Sequence, residues 1–150
     1  NIQDLMNFNK KFSVITLWHS LEHIHDLNNF FLNLNKLMDI DAKLIIAVPN
    51  FDAYEKKYFG DKWAALDLPR HLYHFDHTTL SKLLDKYGYD VLERKKIILD
   101  TIYIALLSKK KTDNISYLKL LKIILLTIMR IFYHGPDASS SLLFVCEKRT

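Results

Sequence analysis

A pair of apolar runs separated by one amphipathic helix constrains the fold of this chain more than any other feature. The runs Phe12–Leu17 and Lys43–Val48 are short, rich in β-branched residues and apolar on both faces, as in strands buried in a parallel sheet. Between them Asp26 is placed to cap a helix, whose apolar stripe consists of Leu27, Phe30, Phe31, Leu34, Leu37 and Met38. Parallel neighbours require such a crossover, so the pattern predicts a βαβ unit in an α/β fold.

The rest of the chain continues this alternation. Apolar periodicity and turn residues predict further elements, namely helices at 52–59, 78–87 and 115–133 and strands at 89–98 and 142–148. The segments between them are expected to be a turn at 39–41, an irregular stretch at 63–75 and a polar linker at 109–114, whereas 101–107 fit either a helix or the end of a strand. A chain of 150 residues with this pattern is predicted to form one domain.

Composition excludes several kinds of site and partner. The single cysteine, Cys146, allows no internal disulfide and no cysteine-based zinc site, and the three glycines are too far apart for a glycine-rich phosphate loop. A formal net charge of +4 does not by itself indicate nucleic acid, and we expect no nucleic-acid partner. Because no signal peptide precedes the first predicted strand, we expect a cytoplasmic protein.

The segment 115–133 combines apolar bulk with cations. Its longest uncharged run, 123–129, is too short for a transmembrane span, so we predict none. The segment could lie on a membrane surface, or it could pack against the core or a subunit partner. Its cations and those of Lys109–Lys111 could contact phosphates or anionic lipid, or they could simply be solvated.

The sequence H-S-L-E-H at residues 19–23 matches a zinc-hydrolase pattern, H-x-x-E-H. On a helix, His19 and His23 would share one face and could bind zinc, with Glu22 as the general base. Glu93 is a candidate third ligand further along the chain. This hypothesis predicts a zinc hydrolase.

The same residues have two other interpretations. They follow the carboxyl end of a predicted parallel strand, where open α/β sheets bind ligands, so Trp18 and His19 would face a pocket. Alternatively their role is structural: Glu22 stabilises the start of a helix and His23 is bonded to backbone at the edge of the core. The residues alone do not decide between these interpretations.

Aromatic, imidazole and guanidinium groups crowd into residues 63–75 without helical or alternating spacing. Loops with so many functional side chains often form sites on a rigid α/β scaffold. Arg70 could hold an anionic or carbonyl group, and His71 or His74 could act as a general base. In the structural alternative, Asp67 pairs with Arg70 and the aromatic side chains join a core.

Three sequence blocks resemble class I S-adenosylmethionine-dependent methyltransferases, in particular the bacterial small-molecule methyltransferase group: FSVITLWHSLEH at 12–23, LIIAVPN at 44–50 and WAALDLPRHLYHF at 63–75. The resemblance implies a Rossmann-like fold, of which this chain supplies strands 4-5-7-6 as the carboxyl-terminal part of one domain, with a helical insertion at about 109–134. It also implies that the first strand of this chain is an exposed apolar edge, through which copies could associate as a homo-oligomer.

The resemblance further implies S-adenosylmethionine as the cofactor, a small-molecule methyl acceptor as the substrate, and no metal. The implied site residues are Leu17, Trp18 and His19 against the cofactor, Glu22, Arg70, Tyr73 and His74 against the acceptor, and His71 or His23 as a general base. The family's glycine-rich turn and ribose-binding acid are expected before Asn1, so we expect methyl transfer by the intact protein and none by this chain alone. The alternative is a non-catalytic, methyltransferase-like interaction module.

Overall fold

The computed structural model describes residues 10–149 and contains a mixed four-stranded sheet. Its strands are β1 (Phe12–Trp18), β2 (Met38–Pro49), β3 (Tyr89–Lys95) and β4 (Ser141–Lys148), in the spatial order β1-β2-β4-β3. β1 and β2 are parallel, and β4 runs antiparallel to both β2 and β3. The predicted α/β class and strand order are confirmed.

Helices connect the strands as the periodicity predicts. In the described residues these are α1 (Leu27–Leu37), α2 (Lys56–Phe59), α3 (His77–Lys86), α4 (Ile98–Lys110) and α5 (Tyr117–His134). The Asp26 side chain accepts a hydrogen bond from the Asn29 backbone N–H at 2.9 Å, so the predicted cap of α1 is confirmed. α1 is the crossover between the parallel strands β1 and β2.

Two predicted boundaries near β2 are wrong. The expected turn at 39–41 lies inside β2 as an irregularity: Phe12 pairs with Met38 but Val14 already pairs with Lys43. After β2, the predicted helix at 52–59 shrinks to the four residues of α2. The Asn50 side chain donates to the carbonyl oxygens of Asp137 and Ser139, and its own oxygen accepts from Asp52 N–H, so this stretch starts as a turn.

Two further boundaries differ around α4. The strand predicted at 89–98 ends at Lys95, and α4 begins three residues later. The ambiguous residues 101–107 and the first part of the predicted linker belong to this helix. α4 is apolar on several sides because its residues pack both against α5 and against the short helical turn Ala64–Leu66. Its apolar residues therefore do not follow the single-faced helical periodicity by which a helix is recognised in a sequence.

The core consists of two clusters. The larger one joins alternate residues of β2 and β4 to α1 and α3, and its centre includes Phe31, Leu44, Ile46, Leu80 and Phe144. The smaller one joins α4 and α5 to the segment between β2 and α3, around Trp63. The burial of β1 that its apolar residues predict is wrong, whereas the exposed edge that the resemblance implies is present: Val14 is 51% and Trp18 55% exposed, since β1 is an edge strand of the described sheet. Self-association through this edge stays a prediction.

α5 is the most apolar helix, with 18 residues that include Lys119, Lys122 and Arg130. Within residues 10–149, no helix combines the length and the apolarity that a membrane crossing requires.

A histidine–carboxylate pair ties the end of β1 to α4. His19 lies just after β1, and its Nε2 is 3.1 Å from Asp100 Oδ2 in the first turn of α4. The hydrogen bond to Asp100 raises the pKa of His19 to about 9, and the same bond lowers the pKa of Asp100. Near neutral pH the pair is therefore ionic and joins the sheet edge to the helical layer.

Removing the Phe144 ring should destabilise the fold. Phe144 is fully buried in β4 between its partners Ile46 and Arg94. We expect Phe144→Ala to lower the free energy of unfolding by about 3–5 kcal/mol, because it leaves a cavity in the larger core. Chemical denaturation measures this. The matched control is Phe132→Ala, whose ring is 65% exposed and whose loss should cost less than about 0.5 kcal/mol. Equal losses in the two variants would contradict the assignment of the core.

The His19–Asp100 pair should make stability depend on pH. Since the folded-state pKa of His19 is raised from 6.5 to about 9, its contribution is complete below pH 6.5 and is lost as pH rises through about 9. We expect the difference in Tm between wild type and Asp100→Asn to be largest near about pH 6 and to vanish above about pH 9. The exposed Asp61→Asn variant is the control and should show no such trend. A difference that persists at high pH would contradict the ionic pair.

Candidate functional site

A cavity of about 430 Å³ opens at the carboxyl ends of β1 and β2. This is the edge of the sheet at which the sequence predicted ligand binding. Its polar lining consists of His19, Glu22, His23, Asp67, Arg70, His71 and Asp100. Its apolar lining consists of Pro49, Ala64, Ala65, Tyr103, Ile104 and Leu107. The volume suits a small molecule.

The two sequence motifs meet in this cavity through backbone hydrogen bonds. Leu21–His23 forms a single helical turn after β1, and the Glu22 carbonyl oxygen accepts from Leu72 N–H at 2.9 Å. The loop that carries Arg70 and His71 is therefore fastened to the turn that carries Glu22. The left-handed backbone of Asp67, with φ +37°, starts this loop. Some fifty residues apart in sequence, the two blocks form one site.

Glu22 is the most unusual residue of the site. It is fully buried, and neither carboxylate oxygen has a hydrogen-bond partner among the described residues. The nearest groups are His19 Nδ1 at 3.6 Å and His71 Nε2 at 3.9 Å from Glu22 Oε1. His19 is a cation beside Glu22 near neutral pH, because its pKa is raised to about 9, but burial of the carboxylate without hydrogen bonds is still costly.

His71 and His23 are held in the same way. His71 Nδ1 lies 2.9 Å from the Ala65 carbonyl oxygen, and His23 Nδ1 lies 2.9 Å from that of Arg70. Because a carbonyl only accepts, both Nδ1 atoms carry the proton, and in the neutral ring both Nε2 atoms have a free lone pair. Burial lowers the pKa of His71, so this ring is neutral at pH 7. The two ring centroids are 4.8 Å apart.

The structure places the other predicted acceptor residues differently. Arg70 lines the cavity, with Nη1 3.4 Å from Asp67 Oδ2, so the predicted Asp67–Arg70 pair is present. Tyr73 and His74 do not line it. Tyr73 Oη donates to the His25 carbonyl oxygen at 3.1 Å, and His74 Nε2 donates to that of Leu66 at 3.0 Å. In this structure both side chains hold the loop.

Of the three residues predicted against the cofactor, only His19 lines the cavity. Leu17 packs against the larger core. The predicted contact of Trp18 with the cofactor stays a prediction: its ring is 55% exposed and does not line this cavity. The reason is the alternation of a strand, which directs neighbouring side chains to opposite faces.

The geometry behind the zinc-hydrolase hypothesis is also wrong. His19 has φ +43° and precedes the helical turn, so His19 and His23 do not share a helix face. Glu93 lies on β3, at the opposite edge of the sheet, beside Lys95. A different set is compatible with a metal ion, since ligand atoms of Glu22, His23 and His71 all lie within 4.8 Å of one another.

Sequence reasoning missed two buried or half-buried acids. Asp100 lines the cavity, and its position in the first turn of α4 would have marked it had that helix been recognised. Glu55 is fully buried; its Oε1 accepts from Trp63 Nε1 at 3.2 Å, and burial raises its pKa. Nothing in the local sequence distinguishes Glu55 from a solvated acid.

The described residues do not make up a whole S-adenosylmethionine site. The family's glycine-rich turn would follow a parallel strand, but Gly60, Gly88 and Gly135 follow α2, α3 and α5. Each has positive φ and ends a helix.

Comparison with known proteins identifies the family. A family model described as a methyltransferase domain matches residues 1–94. No curated protein matches the chain significantly in sequence.

Several solved structures share the fold. The mycolic acid cyclopropane synthase CmaA1, complexed with SAH and CTAB, has a TM-score of 0.54 at 14% identity, covering 95% of this chain and 57% of that one. A putative sarcosine dimethylglycine methyltransferase from Galdieria sulphuraria has a TM-score of 0.57 at 10% identity, covering 99% of this chain and 57% of that one. A SAM-dependent methyltransferase from Archaeoglobus fulgidus has a TM-score of 0.52 at 19% identity, covering 98% of this chain and 64% of that one.

This chain thus spans roughly three fifths of the length of those relatives, 57% to 64%. Identities this low show the fold alone, whereas the family model covers more than half of the chain. The chain belongs to the methyltransferase-domain family and has the fold of the class I S-adenosylmethionine-dependent methyltransferases.

Proposed function

We propose that this domain, within a protein of its relatives' full length, transfers a methyl group from S-adenosylmethionine to a small-molecule acceptor bound in the cavity at the ends of β1 and β2. The observation that carries the proposal is the buried Glu22 carboxylate, which has no hydrogen-bond partner within residues 10–149 and lies 3.9 Å from the neutral His71 ring. Such an arrangement is costly for stability and suited to proton transfer. Family membership supplies the reaction class.

Bound S-adenosylmethionine supplies an electrophilic methyl group on a sulfonium. The protein's task is then to orient the acceptor and to exclude water. The apolar lining from Ala64, Ala65, Ile104 and Leu107 surrounds the polar groups on one side. In such surroundings each hydrogen bond to the acceptor is stronger than in water.

His71 is the proposed base for an acceptor hydroxyl. Its Nδ1–H is fixed by the Ala65 carbonyl, so Nε2 is the atom that receives the proton. Glu22, 3.9 Å from Nε2, then stabilises the charged ring. His23 has the same arrangement and is the second candidate. Arg70, at the edge of the cavity, is proposed to hold an anionic or carbonyl group of the acceptor.

Leu17, Trp18 and His19 remain the proposed contacts with the cofactor. Support comes from Trp18, whose ring is 55% exposed at the carboxyl end of the edge strand β1. The proposed role of Tyr73 and His74 toward the methyl acceptor is indirect, because their side chains hold the loop and do not line the cavity.

A metal-assisted reaction is the second candidate, because Glu22, His23 and His71 could hold one divalent cation. Metal analysis of the purified protein distinguishes the two. About one tightly held zinc per chain, with activity lost to a chelator, would favour the metal; metal-free active protein favours His71 as base.

The activity is tested on the protein encoded by the complete reading frame. Tritiated S-adenosylmethionine is incubated with a small-molecule extract of the source cells, and label in the protein-free fraction is counted. We expect labelled product from the complete protein and none from the 150-residue chain alone. No label with the complete protein would favour the interaction module instead.

Replacing His71 should impair turnover. In the complete protein we expect His71→Ala to lower kcat by about 10²-fold or more, because the acceptor proton loses its base. His25→Ala is the matched control, since that ring is exposed and outside the cavity, and it should leave kcat unchanged. An unchanged rate in His71→Ala would remove His71 from the chemistry and direct attention to His23→Ala.

Glu22 should contribute to activity and not to stability. We expect Glu22→Gln to change the Tm of the chain little, because the lost attraction to His19, whose Nδ1 is 3.6 Å away, is offset by the lower cost of burying an amide, while kcat of the complete protein falls by about tenfold or more. Thermal denaturation and the methyl-transfer assay measure the two effects. A clearly lower Tm with unchanged kcat would mean that Glu22 is structural.

A further inference from the structure

One face of α5 is apolar and exposed along the whole helix. This face, the α5 stripe, consists of Leu118, Leu121, Leu125, Met129 and Phe132. Its residues recur every three or four positions and are 53% to 82% exposed, whereas the opposite face of the helix is buried against the smaller core. An 18-residue helix is about 27 Å long, so the stripe is a continuous patch and not a set of scattered residues.

Cations lie on the same helix as the stripe and at its two ends. α5 contains Lys119, Lys122 and Arg130 and no Asp or Glu. The ammonium of Lys96 lies 5.2 Å over the Phe132 ring at one end of the stripe. At the other end, the Lys109 ammonium lies 5.4 Å over the ring of Tyr117.

Tyrosines stand at both ends of the helix. Tyr117 and Tyr133 are 78% and 81% exposed. Tyrosine rings favour the boundary between lipid and water, where one end of the ring is apolar and the other is hydrated. A helix with an apolar face, flanking cations and terminal tyrosines has the pattern of helices that lie in a membrane interface.

We infer that the α5 stripe docks on an anionic lipid bilayer, with α5 parallel to the membrane surface. The five apolar side chains would enter the acyl boundary, and the lysines beside them would reach lipid phosphates. This inference goes beyond methyl transfer and holds whether or not the proposed reaction takes place.

Charge argues against a second copy of the chain as the occupant. If two α5 stripes packed together, Lys119, Lys122 and Arg130 of each helix would face those of the other, and α5 offers no carboxylate to compensate them. Like charges at an interface are costly, whereas an anionic lipid surface neutralises all of them.

The experiment is co-sedimentation of the 150-residue chain with vesicles. Vesicles of phosphatidylcholine alone are compared with vesicles that contain phosphatidylglycerol as well, at low and high salt. We expect binding to the anionic vesicles that weakens with salt, and much weaker binding to neutral ones. Absence of binding to anionic vesicles would overturn the inference.

Two variants test the stripe itself. Leu125→Glu should weaken binding by at least about tenfold, because it places a charge in the acyl boundary. Leu92→Glu is the matched control, since Leu92 on β3 is also 53% exposed but lies outside the stripe, and its binding should stay at the wild-type level. Both sites are exposed, so circular dichroism should show the wild-type fold. Equal losses in the two variants would overturn the inference.

A third variant tests the cations. Lys119→Gln with Lys122→Gln should weaken binding to anionic vesicles by about fivefold per lysine and leave the weak binding to neutral vesicles unchanged. Sedimentation velocity without lipid provides the last comparison. If the chain does not bind vesicles and forms a stable dimer that Leu125→Glu dissociates, the stripe is a protein interface and the proposal of lipid binding is overturned.

Discussion

The insertion of β4 between β2 and β3 is the interaction on which the rest of this structure depends. It pairs residues about a hundred positions apart, such as Lys43 with Glu147, and places Phe144 and Cys146 in the centre of the larger core. α4 and α5 lie between β3 and β4 in the chain, so this pairing also fixes where both helices return to the sheet. Asp100 and Tyr103 of α4 thereby reach the ends of β1 and β2. The cavity that these residues line depends on this strand order.

The stable sheet and core support two features that do not favour stability. Glu22 is buried with no hydrogen-bond partner in the described part of the chain, and the α5 stripe exposes large apolar side chains to water. Both would be removed easily by substitution with a neutral or polar residue if folding alone mattered. One lies at the end of the parallel strands and faces a cavity of small-molecule size, whereas the other lies on an outer helix beside cations. We therefore relate the first to chemistry and the second to a surface.

The sequence predicted the elements better than their ends. The βαβ unit and the Asp26 cap are confirmed because apolar period and capping are local properties of the chain, and the strand order that the family resemblance implies is confirmed as well. The turn expected at 39–41 became a bulge within β2 because pairing with β1 overrode the local signal. For the site, the blocks at 19–23 and 63–75 contain the cavity residues Glu22 and His71, but no local pattern announced that a backbone bond from Leu72 to Glu22 would join them.

The order of the amino acids was enough to establish the α/β class, the crossover, the family and the two blocks from which the site is built. Periodicity, caps and motif residues are local features of the sequence, so they can be recognised without knowing which distant segments pack together. Three-dimensional packing was needed to show that His71 lies beside the Glu22 carboxylate and that Asp100 pairs with His19. It also showed that Glu93 lies at the far edge of the sheet and that one side of α5 is exposed. These outcomes depend on which distant segments pack together, because burial and the direction of a side chain are set by neighbours that lie far away in sequence.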